Sequence, residues 1–377
     1  MRLDLPRGIG LATWMRVESK NSLSRRELLA GLAALGAGAL LPAVRSSAQA
    51  PQRIINVHHH LTAPAYVKFL QDNQVREFPI KSEAQCMEDM DKAGVHIALC
   101  STIGPGIWFG NAADTRRLSR EINEYAAKMI ATHPGRFGMF TMLPLPDVDG
   151  SLKEIEYGFN TLKSDGVFLH TNWGGKALYG DKYLGDVALA PIYEELNRRS
   201  AIVYTHPKDA ACCTGIIPGV GSGTVEYPMD TARTIVSLLY SGTAAKHPNI
   251  RWIFSHGGGA LPGLIGRLAG AQASYLEDGG KLRTDAPAPR TNPAMPQGPI
   301  HELQKFYYDT SSAVNPLGIG GLRKMVPLSQ ILFGGDFPFV ASSEQVHLLR
   351  ECRVFNNTEL EAVFNGNASR LFPKFKA

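Results

Sequence analysis

The chain has 377 residues, of which 44% are hydrophobic and 19% charged. That balance excludes a disordered or collagen-like polymer and is ample for a large buried core. The formal charge is +5, but seven basic and three acidic residues fall within the first fifty, so the rest is almost neutral and lacks the basic run of a dedicated nucleic-acid binder.

The N-terminal segment reads as an address. Residues 21–50 have a charged start, a weakly apolar run from Leu28 to Val44, and the ending Ala48-Gln49-Ala50. That order is characteristic of a secretory signal peptide. Ser24-Arg25-Arg26-Glu27-Leu28-Leu29 resembles the twin-arginine export signal, with Leu28 where Phe is frequent. Residues 1–50 are therefore expected to direct export to the periplasm, and residues 51–377 to form the mature domain. The apolar run is rich in Gly and Ala and contains Pro42, so no stable membrane span is expected after processing.

In the mature chain, short β-rich runs alternate with helical stretches. The expected strands are 54–58, 95–101, 137–143, 166–170, 201–206, 250–255, 306–310 and 330–334. The expected helices between them are 82–93, 114–132, 152–164, 189–200, 230–246 and 261–276, as the spacing of Ile235, Leu238 and Leu239 illustrates. Eight such units predict an α/β fold, a (β/α)8 TIM barrel, with a doubly wound open sheet as the alternative. No G-x-G-x-x-G follows the first strand, which weighs against a dinucleotide site. Insertions at 208–229 and 275–299 are expected to act as lids. Five cysteines form no C-x-x-C pair, so a zinc ribbon or disulfide scaffold is not expected. Cys212-Cys213 is read as loop packing, with oxidation as the alternative.

Strand ends carry the chemistry. The first strand ends in His58-His59-His60, and alternation puts His58 and His60 on one side. His206 ends the fifth strand, His256 follows the sixth and Asp336 follows the eighth. A parallel barrel gathers these ends on one rim, where their nitrogens and oxygens can hold a divalent ion. His133 and His247 precede Pro residues in connections, and His96, His301 and His347 belong to no convergent set. All five are read as structural.

With V-H-H-H-L at 57–61, Y-T-H-P at 204–207, S-H-G-G-G at 255–259 and G-G-D-F-P-F at 334–339, the sequence resembles the amidohydrolase superfamily. The resemblance covers nearly all of residues 53–374. It points to the branch of aminocarboxymuconate-semialdehyde and hydroxybenzoate decarboxylases, and the stretch 224–238 looks like its 6-methylsalicylate decarboxylase members. The resemblance implies that His58, His60, His206 and Asp336 bind one divalent metal ion, zinc or manganese. It implies that His256, or Asp336 itself, handles the catalytic proton. Many relatives have Asp where this chain has Asn56, a departure expected to have a modest effect. Binuclear relatives carry a Lys at the end of the fourth strand; here His170 ends it, which favours a single ion, and His170 is read as a pocket or packing residue.

The resemblance also gives Arg267 a role in binding substrate carboxylate in a neighbouring subunit, which requires at least a homodimer; a local surface salt bridge is the alternative. Trp173, Trp108, Phe337 and Phe339 are candidate walls for a planar substrate. The implied activity is non-oxidative decarboxylation of an aromatic or unsaturated carboxylic acid. The alternative is a metal-dependent hydrolase acting on a C–C, lactone or amide bond; a non-catalytic binding protein is a third reading, disfavoured by the complete ligand and proton-transfer positions.

Overall fold

The computed structural model describes residues 53–75, 79–173 and 182–376. The expected export signal at 1–50 lies outside the described residues. Eight parallel strands follow in order: β1 Ile54–His60, β2 Val95–Ser101, β3 Phe137–Met142, β4 Gly166–His170, β5 Ile202–His206, β6 Arg251–Phe254, β7 Tyr307–Asp309 and β8 Ile331–Leu332. They stand in the sheet in this same order, each parallel to its neighbour. The residues after β8 return to β1. The Val57 amide donates to the Phe333 carbonyl at 3.0 Å, and the His60 amide to the Phe337 carbonyl at 2.9 Å. The sheet thus curls into a nearly closed barrel, and the open doubly wound alternative falls.

A helix follows each strand: α1 Glu83–Ala93, α2 Ala112–Thr132, α3 Val148–Asn160, α4 Ala190–Arg198, α5 Glu226–Tyr240, α6 Leu261–Ala269, α7 Gly318–Met325 and α8 Ser342–Glu351. Local sequence sets their ends. Ser82 and Gln85 form a reciprocal cap on α1, Asn111 caps α2 and Asp147 caps α3, each cap worth about 1 kcal/mol. Asp147 also moves the start of α3 ahead of the expected position. Gly242 (φ 74°) separates α5 from the short helix Thr243–Lys246, which the periodicity had joined. Gly270 (φ 62°) likewise ends α6, and the chain tightens into a 3-10 turn through Tyr275.

Apolar layers lie on both sides of the sheet. Val95, Val203 and Phe254 pack outward against helix residues such as Met90, Leu196 and Leu238. Tyr204 and Phe140 stack with ring centroids 5.1 Å apart and, with Phe168, Ile253 and Leu332, belong to a second buried cluster. Tyr204 also donates its hydroxyl to Asp309 at 3.1 Å. Aromatic packing therefore sits directly beneath the polar rim.

The two insertions differ in position. The first contributes Gly223, Thr224, Tyr227 and Pro228 to the wall of a large cavity. It also contains a disulfide between the adjacent Cys212 and Cys213, so the oxidised alternative is the one observed. The second forms a small hairpin that packs on α7, where Asp278 pairs with Arg323 and Lys324. Those ion pairs hold it to the flank, and it adds no residue to the cavity lining.

Candidate metal centre

The alternation of β1 sends His58 and His60 toward one point. The Asn56 side-chain oxygen accepts the amides of His58 and Gly335, both at 2.9 Å. This ties β1 to the turn that carries Asp336. That turn holds Asp336 at φ +64°, a conformation rarely adopted by residues with a side chain. The Asp336 amide in turn donates to the His58 carbonyl at 2.8 Å. Residues almost 280 positions apart are fixed as one unit.

One nitrogen of most of these imidazoles is already committed. His58 Nδ1 donates to Asp309 Oδ2 at 3.0 Å, and His206 Nδ1 donates to the Pro207 carbonyl at 2.8 Å. His60 Nδ1 lies 3.3 Å from the Ser101 hydroxyl. The Nε2 atoms are left to face one another: those of His58 and His60 are 3.2 Å apart, and Asp336 Oδ1 lies 3.3 and 3.2 Å from them. One donor atom from each of His58, His60, His206 and Asp336 falls within 4.8 Å of the other three, and all four residues are buried.

His206 Nε2 and Asp336 Oδ1 are buried without a hydrogen-bond partner among the described residues. Unpaired buried polar atoms are costly. Three imidazoles and one carboxylate converging in this way suit a divalent cation.

Of these four groups, His60, His206 and Asp336 are held in the protonation state that binds a cation, and His58 is not. Burial, with His60 and His58 beside it, holds His206 well below the usual imidazole range. Burial likewise lowers His60, against the pull of Asp336. Burial opposes charge on His58 too, but Asp309 and Asp336 outweigh it and raise its pKa to about 10. Burial would raise Asp336, yet His58 and His60 hold its carboxyl well below the usual range. An ionised carboxylate beside neutral imidazoles is the state that binds a cation, and any proton on His58 must leave first.

His256 stands beside this cluster rather than in it. Its ring centroid is 4.9 Å from that of His58 and 5.1 Å from that of His206. Its amide donates to Asp309 Oδ1 at 3.0 Å, and its Nδ1 donates to the Ser311 carbonyl at 3.3 Å. Burial lowers its pKa despite Asp336 nearby. Its backbone also has positive φ, at +56°. A neutral ring with Nδ1 committed leaves Nε2 to exchange a proton.

A cavity of about 490 Å³ opens over the cluster, a volume suited to a small organic ligand. His206, His256 and Asp336 line it together with Tyr227, Ser312, Asn315 and Phe339. Phe339 stands edge-on to His60 at 5.7 Å.

Other expected wall residues lie elsewhere. Phe337 stacks on His59 at 5.0 Å and is 7% exposed, so it fills space behind the cluster. Trp173 and Trp108 line a separate small recess together with His170. Arg267 is exposed on α6 and has no hydrogen bond or ion pair among the described residues, so the local salt bridge weighed for it is not formed. Of the histidines read as structural, His133 meets Glu83, and His247 and His96 meet backbone carbonyls.

The sequence reading missed Asp309. This wholly buried carboxylate at the end of β7 serves His58, His256, Tyr204 and Ser311 at once. The available signal was Tyr307-Tyr308-Asp309-Thr310, an acid at a strand end on the functional rim. Ser312, which donates to Asp336 Oδ2 at 3.3 Å, was missed as well.

A (β/α)8 barrel with three imidazoles and a carboxylate gathered at its carboxyl rim defines the class of metal-dependent barrel enzymes. The amidohydrolase family pattern matches residues 55–374, and the chain belongs to that family. It is 32% identical to the decarboxylase yanB of Aspergillus niger, over 85% of this chain and 88% of that protein. It is 31% identical to the 6-methylsalicylic acid decarboxylase of Penicillium expansum, over 85% of this chain and 97% of that protein. Among solved structures, it shares its fold with a dihydroxybenzoic acid decarboxylase from Polaromonas sp. JS666 that was determined with bound manganese and an inhibitor. The TM-score is 0.72 at 18% identity, covering 86% of this chain and 98% of that one.

Proposed function

We propose that this chain is a metal-dependent, non-oxidative decarboxylase of a hydroxylated aromatic acid. The observation that carries the reading is the buried His58, His60, His206 and Asp336 set, with His256 beside it, opening into a cavity. Relatives named as decarboxylases, aligned over most of both chains, supply the reaction class.

A divalent ion, zinc or manganese, held by these four residues would polarise and orient the substrate carboxylate and a neighbouring hydroxyl. The remaining work falls to the chain. Phe339, Val340, Ala313 and Pro228 wall the ring and exclude water. Ser312 braces Asp336. His256 Nε2 takes up a proton from solvent as substrate enters and passes it to the ring carbon, which keeps the electrons of the broken C–C bond as carbon dioxide leaves. Asp336 is assigned to the metal, which leaves the proton to His256.

The experiment is product analysis with carboxyl-labelled hydroxybenzoates. Labelled carbon dioxide and a phenol, lost on exhaustive chelation and regained with zinc or manganese, support the reading. Uptake of solvent oxygen into an acid product assigns the site to hydrolysis instead.

Two further parts of the reading concern assembly and address. Arg267, exposed in the single chain, is proposed to bind substrate carboxylate in a partner subunit of a homodimer; its planar fork suits that task. Residues 1–50 are proposed to send the protein to the periplasm by the twin-arginine route, which carries folded cargo. Replacing Arg25 and Arg26 with Lys should then leave precursor in the cytoplasm. Among the described residues no helix is long and apolar enough to cross a membrane.

A further inference from the structure

Among the described residues that line the large cavity there is no lysine or arginine. Most of its polar side chains are already committed. Ser312 donates to Asp336 at 3.3 Å, and the Asn315 side-chain oxygen accepts the amides of Leu317 and Gly318 at 3.0 and 2.8 Å. The Asn315 nitrogen donates to the Ala313 carbonyl at 3.4 Å. His206 and Asp336 belong to the converging cluster, and His256 stands beside it. Thr224 is exposed to solvent. Tyr227 differs from all of these. It is half-buried in the cavity wall, and its hydroxyl has no hydrogen bond among the described residues.

Tyr227 lies in the first turn of α5, and that turn is held from several sides. The Tyr227 amide donates to the Ser222 carbonyl at 2.9 Å. Three residues on, the wholly buried Asp230 accepts Asn172 at 2.8 Å, Tyr183 at 2.7 Å and also Thr171. The Pro228 carbonyl accepts the Ala260 amide at 2.9 Å. This last bond requires a close approach. A Cβ on Gly259, at φ +63°, would run into the Pro228 carbonyl. The glycine therefore lets α5 rest directly on the turn that carries His256. Tyr227 and His256 are fixed relative to each other by that contact.

The Tyr227 ring faces the metal centre. Its centroid is 6.3 Å from that of His206, with the planes at 78°. Its hydroxyl reaches toward Gly104 after β2, where an added Cβ would lie 3.8 Å away. Gly104 lines the same cavity. The hydroxyl thus borders space open to a ligand, beside the imidazole whose Nε2 is unpartnered.

We propose that the Tyr227 hydroxyl donates a hydrogen bond to the carboxylate of the bound acid and so sets the preference of this cavity for the acid over the phenol left by its decarboxylation, an inference that rests on the decarboxylase reading of the metal centre. The warrant is complementarity. A carboxylate has two oxygens with about four acceptor sites, which one cation does not exhaust. A hydrogen bond to an ionised acceptor is roughly twice as strong as one between neutral groups. With no lysine or arginine of its own chain lining the cavity, Tyr227 is the uncommitted donor left to meet that charge. The remaining acceptor sites leave room for Arg267 of a partner subunit. When the C–C bond breaks, the carboxylate leaves as neutral carbon dioxide and the charge-assisted bond is lost with it. The phenol then lacks a contact that held the acid.

The test is Tyr227→Phe, which keeps the ring and deletes the donor, in metal-loaded protein. Carbon dioxide release is measured with the hydroxybenzoate that is turned over fastest, and the phenol it yields serves as product inhibitor. KM for the acid should rise about tenfold or more, with kcat within about threefold of the parent and the inhibition constant of the phenol unchanged. Calorimetry with the same two compounds in a His256→Asn background, where the acid is bound but not consumed, should show the loss for the acid alone. Equal losses for acid and phenol would make Tyr227 a wall and overturn the proposal. An unchanged KM, or a loss confined to kcat, overturns it as well. If no acid releases carbon dioxide, the decarboxylase reading falls. Calorimetry of 2-hydroxybenzoate and phenol with the parent and Tyr227→Phe proteins then decides the role of Tyr227 by itself.

Discussion

Asp309 Oδ2 accepts the Nδ1 proton of His58 at 3.0 Å, so a carboxylate on β7 fixes which nitrogen β1 turns toward the metal centre. Its other oxygen accepts the amide of His256. One residue thus orients a proposed metal ligand and the proposed proton carrier. Asp309→Asn keeps the shape but removes the charge and one acceptor. Metal affinity should fall about 10- to 100-fold, the usual effect of losing such a support, as measured by competition with a chromophoric chelator. Unchanged affinity in a folded variant would reduce Asp309 to packing.

Much of this arrangement was legible in the residues. Strand ends at His170 and His206 were placed to the residue, because β-rich runs stop abruptly at polar side chains, whereas β1 runs two residues beyond the expected end at 58. The convergence of His58, His60, His206 and Asp336 was legible because each member ends or follows a strand. What was not legible is what lies behind or between strands. Phe337 and Phe339 differ by two positions, yet one backs the cluster and the other faces the cavity; the positive-φ turn at Asp336 breaks the simple alternation there. Asp309 was hidden for another reason. A buried carboxylate reads as a support only once its four donors are known, and they come from β1, β5 and two adjacent turns.

Asn56 provides a stability prediction. Its oxygen accepts two buried amides that join β1 to the Asp336 turn. Asn56→Ala leaves both donors unpaired, at about 1–3 kcal/mol each. The metal-free protein should unfold at clearly lower denaturant concentration, with an unchanged slope. Asn56→Asp should restore most of the loss, because its oxygens can accept the same amides. A variant as stable as the parent would show that the turn is held by other contacts.

His256 separates metal binding from turnover. Its ring lies 4.9 Å from that of His58, but it is not one of the four converging donors. His256→Asn should therefore retain a full complement of metal by elemental analysis. Turnover should fall by about 10²- to 10⁴-fold, the range expected for loss of a positioned proton-transfer group. Loss of metal in parallel with activity would instead place His256 among the ligands.

Arg267 tests the assembly. It projects from the last turn of α6 without an intramolecular partner among the described residues, and the cavity lining of its own chain does not include it. If it serves a neighbouring site, its removal damages a centre whose His256 belongs to the other subunit. Arg267→Ala and His256→Asn homodimers should each be nearly inactive. A verified heterodimer of the two then contains one site with both residues intact and one site with neither. It should regain up to about half the activity per dimer of the parent, by the statistics of two equivalent sites in a symmetric assembly. Heterodimers no more active than the parent variants would confine Arg267 to its own surface, because a residue acting only within its chain cannot be complemented by exchange.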